Sequence, residues 1–198
     1  MKIKPNQVIL FDIDKTLHNT EEFRTLFKKH LLERVAINEN QLDESRKKYD
    51  KSLKKRTFFH PKSMASHMAE ELGLDQKILQ NSYYQSAHFE QSLFKEAKEV
   101  LEKIGQKNVL GVFTEGYKDL QTRKIKQGQI AHHFDHKHVY VFFNKRTKRV
   151  LNLIPKNAVI VDDNPEIIEI LLKRSDLTVI WLNRENKTKH PKAYTIHS

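Results

Sequence analysis

The sequence predicts an α/β protein: a doubly wound, Rossmann-like parallel sheet core with an all-helical unit inserted near its start. Three observations carry this. Five short apolar runs, Val8–Phe11, Val109–Phe113, Val139–Phe143, Val159–Val161 and Val179–Leu182, are rich in β-branched or aromatic residues and lack strict polar alternation. That is the pattern of strands buried on both faces of a parallel sheet. Over the second half these runs alternate with stretches of helical length, as in successive βαβ units. Between the first and second runs, from about Leu17 to Glu90, the pattern is helices and turns only.

Taken in order, the first run follows Met1-Lys-Ile-Lys-Pro-Asn-Gln directly. The insert then reads as four helices, roughly Glu21–Val35, Glu39–Lys55, Pro61–Leu72 and Gln76–His88. Asn19, Asn38 and Asp75 are placed to accept first-turn N–H groups as N-caps, and Gly73 is placed as a helix stop. An insert at this point hangs over the carboxyl end of the first strand. Phe94–Ile104 gathers Leu93, Ala97, Val100, Leu101 and Ile104 on one side and returns the chain to the sheet. The core is therefore expected over 1–17 and 91–198, and the helical unit over 18–90. Later helices are expected at Asp119–Gln127, Lys145–Leu153 and Pro165–Arg174, with a polar, loosely held tail from Arg184 onward. No internal repeat or low-complexity linker interrupts the chain.

The 198 residues are 38% apolar, enough for one main core plus a small appended unit. Charged residues make up 31% and the mean hydropathy is −0.70, but charge is interleaved with apolar positions, which argues against disorder. The absence of cysteine removes disulfides and thiolate metal sites and fits a reducing compartment. No apolar stretch approaches the ~20 residues of a membrane span, and the first run is too short for a signal-peptide core. A soluble, cytoplasmic protein without membrane association is expected; the oligomeric state is open. The net charge of +11 and pI near 9.6 select anionic partners as a class, without choosing among phosphorylated metabolites, nucleic acid and anionic surfaces. The lysine-rich segments Lys51–Arg56, Asn144–Arg149 and Asn186–Lys192 read as solvated surface.

In open α/β sheets, ligands sit beyond the carboxyl ends of the strands, and the acids of this chain collect there. The first run ends in Phe11-Asp12-Ile13-Asp14-Lys15-Thr16-Leu17. Two carboxylates that close, directly after a buried strand, are hard to explain by packing, because burial is costly and they repel. A turn in which Asp14 caps the next segment is the alternative. The fourth run ends in the same way, Val161-Asp162-Asp163-Asn164-Pro165, with proline at a favoured first-turn position. Up to four carboxylates around one crevice suit Mg²⁺, which binds oxygen ligands and shares its site with phosphate. The second run ends in Thr114-Glu115-Gly116, where a hydroxyl and backbone N–H groups could cradle an anion and glycine would permit close approach.

With these residues in place, the chain resembles the haloacid dehalogenase superfamily. Asp12-Ile-Asp-Lys-Thr-Leu resembles its DxDxT signature, Thr114 its second motif, and Asp162-Asp163 its acidic fourth motif. Lys145 is the best match to the third-motif lysine, in competition with Lys124, Lys148 and Lys156. The insert sits where the family places a C1-type cap. The resemblance implies Asp12 as the nucleophile that attacks phosphorus, and Asp14 as the group that protonates the leaving oxygen and then deprotonates water. It implies Mg²⁺ held by the Asp12 side chain, the Asp14 backbone carbonyl and Asp163, with Asp162 assisting. Thr114 and Lys145 would hold the phosphoryl oxygens, with Glu115 and Gly116 beside them. Dehalogenating members lack the second aspartate, so Asp14 favours phosphoryl transfer, although phosphomutases keep it.

The expected substrate is a small phosphorylated metabolite chosen by the helical cap. Nucleic acid is possible but not favoured, and a non-catalytic phosphate-binding protein on the same scaffold is a further alternative. Glu115 departs from the usual pattern, since an acid facing a phosphate would repel it. It could point instead to the cap or to a substrate hydroxyl. The run His132-His-Phe-Asp-His-Lys-His138 reads as a surface connector rather than a metal site. His18 could reach substrate or be a plain turn residue. Tyr83, Tyr84 and His88 could line the inner cap face, though helical spacing favours packing, and Trp181 reads as packing.

Overall fold

The structure, a computed structural model, describes residues 3–53 and 59–197. The chain divides into two units, Thr20–Ser92 and Met1–Asn19 with Leu93–Ser198. These boundaries fall two residues beyond those read from the sequence. Among the described residues, no helix is long and apolar enough to cross a membrane.

The first unit is helical: α1 (Thr20–Leu32), α2 (Glu39–Ser52), α3 (Pro61–Leu72), α4 (Gln76–Tyr83) and α5 (Ser86–Gln91). Asn38 and Gln41 form a reciprocal capping box at α2, Asp75 caps α4, and Gly73 closes α3 in the left-handed region at φ 65. The end of the expected Glu39–Lys55 helix, and part of Lys51–Arg56, lie outside the described residues. The single helix expected over Gln76–His88 is two, because Gln85 is extended between them (φ −63, ψ 123). Tyr83 packs inward, its ring 4.9 Å from Phe23 and 5.2 Å from Phe27. Phe89 completes that aromatic core, 4.8 Å from Phe23.

The second unit is a six-stranded, all-parallel sheet. Its strands are β1 (Val8–Phe11), β2 (Val109–Glu115), β3 (Val139–Phe142), β4 (Val159–Asp162), β5 (Thr178–Leu182) and β6 (Tyr194–Ile196). Its helices are α6 (Ala97–Gly105), α7 (Lys118–Gln127), α8 (Lys148–Leu151) and α9 (Pro165–Leu171). The strand order is β3-β2-β1-β4-β5-β6, which is the expected doubly wound arrangement. Alternation along each strand builds two cores. Ile9, Phe11, Leu110, Val112, Val159 and Val161 pack with Leu101 of α6 and Ile125 of α7. Leu10, Phe113, Ile160 and Val179 pack with Val150 of α8 and Ile167, Ile168 and Leu171 of α9. Each fully buried aliphatic side chain of this kind stabilises the sheet by roughly 1.5–3 kcal/mol.

Two expectations are corrected. The helix expected at Lys145–Leu153 is the single turn Lys148–Leu151, started by Thr147, whose hydroxyl accepts the Val150 N–H at 3.3 Å. The tail is not loosely held, since it adds β6 alongside β5. Its polar residues satisfy the local backbone: His190 Nδ1 accepts the N–H groups of Lys192 (3.2 Å) and Ala193 (3.0 Å), and Asn183 Oδ1 accepts those of Glu185 (3.1 Å) and Asn186 (3.2 Å).

Candidate active site

Sheet register brings the two acidic strand ends together. Phe11 pairs with Val161, and the Asp12 N–H continues the ladder to the Val161 carbonyl at 2.9 Å. Asp12 and Asp162 therefore emerge side by side between β1 and β4, where the strand order reverses and α/β sheets bind ligands. Asp12, Asp162 and Asp163 each bring a carboxylate oxygen within 4.8 Å of the others. Two of these acids are almost wholly buried, Asp12 at 5% exposure and Asp162 at 0%.

Lys145 sits on this cluster. Its Nζ donates to Asp12 Oδ1 at 2.7 Å, to Asp162 Oδ2 at 2.6 Å and to the Phe113 carbonyl at 3.4 Å. The loop after β3 is shaped to deliver it. Asn144 Oδ1 accepts the Arg146 N–H at 2.8 Å, and Glu115 Oε2 accepts the Lys145 N–H at 2.8 Å. Arg146 Nη1 bridges both Glu115 oxygens at 2.9 and 3.0 Å. Lys148 and Lys156 are exposed, and Lys124 lies elsewhere in the site.

Three carboxylates against one ammonium leave an excess of negative charge. Burial pushes Asp12 up to about 8; Lys145 pulls the other way, while Asp162, Asp163 and Asp14 add to the rise. Burial and then Asp162 push Asp163 up to about 7. Burial works against a charged Lys145, but Asp12 and Asp162 outweigh it and hold the ammonium above the ordinary lysine range. An all-oxygen donor set with unrelieved repulsion fits a divalent cation.

Asp14 is held separately. Lys124 Nζ contacts its two oxygens at 2.5 and 2.6 Å, and Gln121 Nε2 donates to Oδ2 at 3.0 Å. Burial alone would raise Asp14, but the Lys124 charge and hydrogen bond, with Gln121, hold it well below the usual carboxylate range. The loop carrying it is tight. Lys15 takes a left-handed φ of 56, and the N–H groups of Leu17 and His18 both reach the Ile13 carbonyl, at 3.0 and 2.9 Å. Arg184 ties this loop down, donating to the carbonyls of Lys15 (3.1 Å) and Thr16 (3.0 Å).

Thr114 is 1% exposed, and its hydroxyl makes no hydrogen bond among the described residues. Such an orphan is what a phosphoryl oxygen would satisfy. The other two expected phosphate contacts have partners within the protein. The Gly116 N–H donates to the Phe142 carbonyl at 2.8 Å, extending the β2–β3 pairing. Glu115 offers acceptors only, and they serve Lys145 and Arg146.

These geometries can now be set beside known proteins. Residues 9–170 match the family model described as haloacid dehalogenase-like hydrolase. The chain belongs to the haloacid dehalogenase-like hydrolases. No curated protein sequence matches it. Among solved structures it is similar to the candidate HAD-hydrolase YfnB of Bacillus subtilis, bound to magnesium (19% identity, 98% of this chain and 95% of that one, TM-score 0.66). It is also similar to the 2-haloacid dehalogenase of Pseudomonas syringae pv. tomato DC3000 (18%, 96% and 94%, TM-score 0.57). A candidate β-phosphoglucomutase of Thermotoga maritima is a third likeness (14%, 96% and 93%, TM-score 0.59). At these identities the likeness is one of fold, and the fold serves several chemistries.

Some contributors were not legible as such in this hydrolase's sequence. Gln121 and Lys124, both buried, lie between the buried apolar residues Leu120 and Ile125 on α7, and polar residues on an apolar face were the available signal. Trp181, read as packing, also donates its indole N–H to the Asp163 carbonyl at 2.8 Å. His18 is 1% exposed, and burial pushes its imidazole down to about 4. His132–His138 forms two short 3-10 turns with no buried residue. Among the described residues, the grouping of His, Asp or Glu suited to a metal is the aspartate cluster.

Proposed function

We propose that this hydrolase is a phosphatase, cleaving a small phosphomonoester through an aspartyl-phosphate on Asp12. The observation that carries this reading is the arrangement of Asp12 on a buried carboxylate–lysine cluster, with a second carboxylate, Asp14, held two residues away. An Asp12 oxygen attacks phosphorus and expels the alkoxide, which takes a proton through Asp14 from the Lys124 ammonium that grips that carboxylate. The Asp14–Lys124 pair, now one proton short, takes a proton from the water that attacks the acyl-phosphate, releasing orthophosphate and restoring Asp12. Thr114 donates its hydroxyl to a phosphoryl oxygen, and Lys145 offsets charge spreading over the others.

Asp12, Asp163 and the Asp14 carbonyl, with Asp162 assisting, would hold a Mg²⁺. When bound, it supplies positive charge for the phosphoryl oxygens and offsets repulsion within the acidic cluster. Asp14 supports phosphoryl transfer over dehalogenation, which in this superfamily proceeds without that residue.

The test is a phosphate-release screen over a broad panel of phosphate esters, with and without Mg²⁺, for the wild type, Asp12→Asn and Asp14→Asn. Turnover of at least one ester by the wild type, lost in both variants, is expected. Full activity in Asp12→Asn would overturn the reading. The +11 charge supports one second reading, an end phosphatase on nucleic acid; oligonucleotide binding that collapses between 50 and 200 mM salt, as counterion release requires, would favour it.

A further inference from the structure

Lys124 is 7% exposed and Gln121 2% exposed, so both are costly residues unless their donors are used. Spaced three apart, they share one face of α7, and both are spent on Asp14. Lys124 Nζ grips the two carboxylate oxygens at 2.5 and 2.6 Å, and Gln121 Nε2 reaches Oδ2 at 3.0 Å. Gln121 Nε2 also donates to the Glu115 carbonyl at 3.0 Å, so one amide ties Asp14 to the end of the strand that carries Thr114. The glycine at 116 protects that arrangement: a Cβ there would lie 2.8 Å from Gln121 Nε2.

We infer that Lys124 is a positioning residue for Asp14, with Gln121 supporting it, so that α7 sets where the second carboxylate of the first loop stands. The inference rests on the phosphatase reading, in which Asp14 moves the protons. Proton transfer needs heavy atoms within about 3 Å, and a misplacement of about 1 Å can cost about a hundredfold. Asp14 acts on the leaving oxygen and on water, not on ground-state binding, so the loss falls on kcat rather than KM.

The test uses the full chain with Lys124→Met, Lys124→Arg, Gln121→Leu, Asp14→Asn and the Lys124→Met/Asp14→Asn double variant. Kinetics are followed on p-nitrophenyl phosphate and on an alkyl phosphate, and thermal unfolding on the metal-free proteins. Lys124→Met is expected to lower kcat about 10- to 100-fold with KM within about threefold. The alkyl phosphate should suffer more, because nitrophenolate departs without a proton. Lys124→Arg should recover most of kcat, and Gln121→Leu should lose about three- to tenfold. The Tm loss of Lys124→Met should shrink when Asp14 is already Asn, as for any coupled pair.

A kcat for Lys124→Met within twofold of wild type on both substrates, with Asp14→Asn inactive, would overturn this inference and leave the phosphatase reading standing. Wild-type activity of Asp14→Asn on the alkyl phosphate would also overturn this inference, by removing the proton role of Asp14, whereas the phosphatase reading falls only with full activity in Asp12→Asn. Should Lys124→Met not fold, Gln121→Leu decides through kcat: a loss supports the positioning role, and an unchanged value ends it. Equal Tm losses in the two backgrounds would also end it.

Discussion

Replacing Lys145 by methionine removes the ammonium placed between Asp12 and Asp162 while keeping most of its volume. At 2.7 and 2.6 Å, each contact is worth about 6 kcal/mol of Coulomb attraction at an effective dielectric of about 20. The ammonium's own desolvation, several kcal/mol, is no longer incurred in the variant, so the expected net loss is about 3–5 kcal/mol when the acids are ionised. The loss must depend on pH. Asp12 and Asp163 already lie above the ordinary carboxylate range, at about 8 and about 7, and without Lys145 Asp12 rises further. A carboxyl whose folded value exceeds its unfolded value keeps the native state more protonated. Its penalty is absent below the unfolded value, grows between the two values and is complete above the folded one. The difference from wild type should therefore be about 3–5 kcal/mol at pH 9 and less than about 2 kcal/mol at pH 5. Urea denaturation without metal, followed by fluorescence of the single tryptophan, reads this directly, because the Trp181 indole is bonded to the Asp163 carbonyl. Equal losses at both pH values, or a loss below about 1 kcal/mol at pH 9, would refute a lysine buried between carboxylates.

Three further outcomes follow from the same geometry. Metal-free wild type should lose stability from about pH 5 to about pH 8, where Asp163 and Asp12 keep their protons in the folded state but not in the unfolded one, each by at most about 1.4 kcal/mol per pH unit, and level off above their folded values of about 7 and about 8; Mg²⁺ should reverse the trend in thermal melts, and a flat profile across that window would contradict it. Glu115→Ala frees the loop that delivers Lys145, so kcat should fall about tenfold, whereas Glu115→Gln keeps an acceptor for the Lys145 N–H and should fall less. Its partly exposed ion pair with Arg146 is worth at most about 1 kcal/mol, which urea titration of Glu115→Gln can check. Gly116→Ala must adopt φ 139 and crowd Gln121, costing about 1–3 kcal/mol, and a Tm unchanged from wild type would argue against that strain.

The fold class was legible because parallel strands buried on both faces leave continuous β-branched runs, such as Val159–Val161, and helix caps use side chains such as Asn38 and Asp75. The acids were legible because a buried strand ending in Asp-Asp has no packing explanation. Short elements were less so. The tail became β6 because His190 and Asn183 satisfy backbone groups locally, which composition does not reveal. The third-motif lysine was only one of four candidates on sequence.

The sequence by itself determined the alternation of elements, the helical insert and the two acidic strand ends, since these depend on periodicity and on the cost of burying charge. Only the tertiary structure decided which lysine meets which carboxylate, Lys145 with Asp12 and Asp162 and Lys124 with Asp14. It also supplied the protein partners of Glu115 and of the Gly116 N–H. Those choices rest on contacts between residues as many as 133 positions apart, set by strand register and helix rotation, which no local pattern encodes.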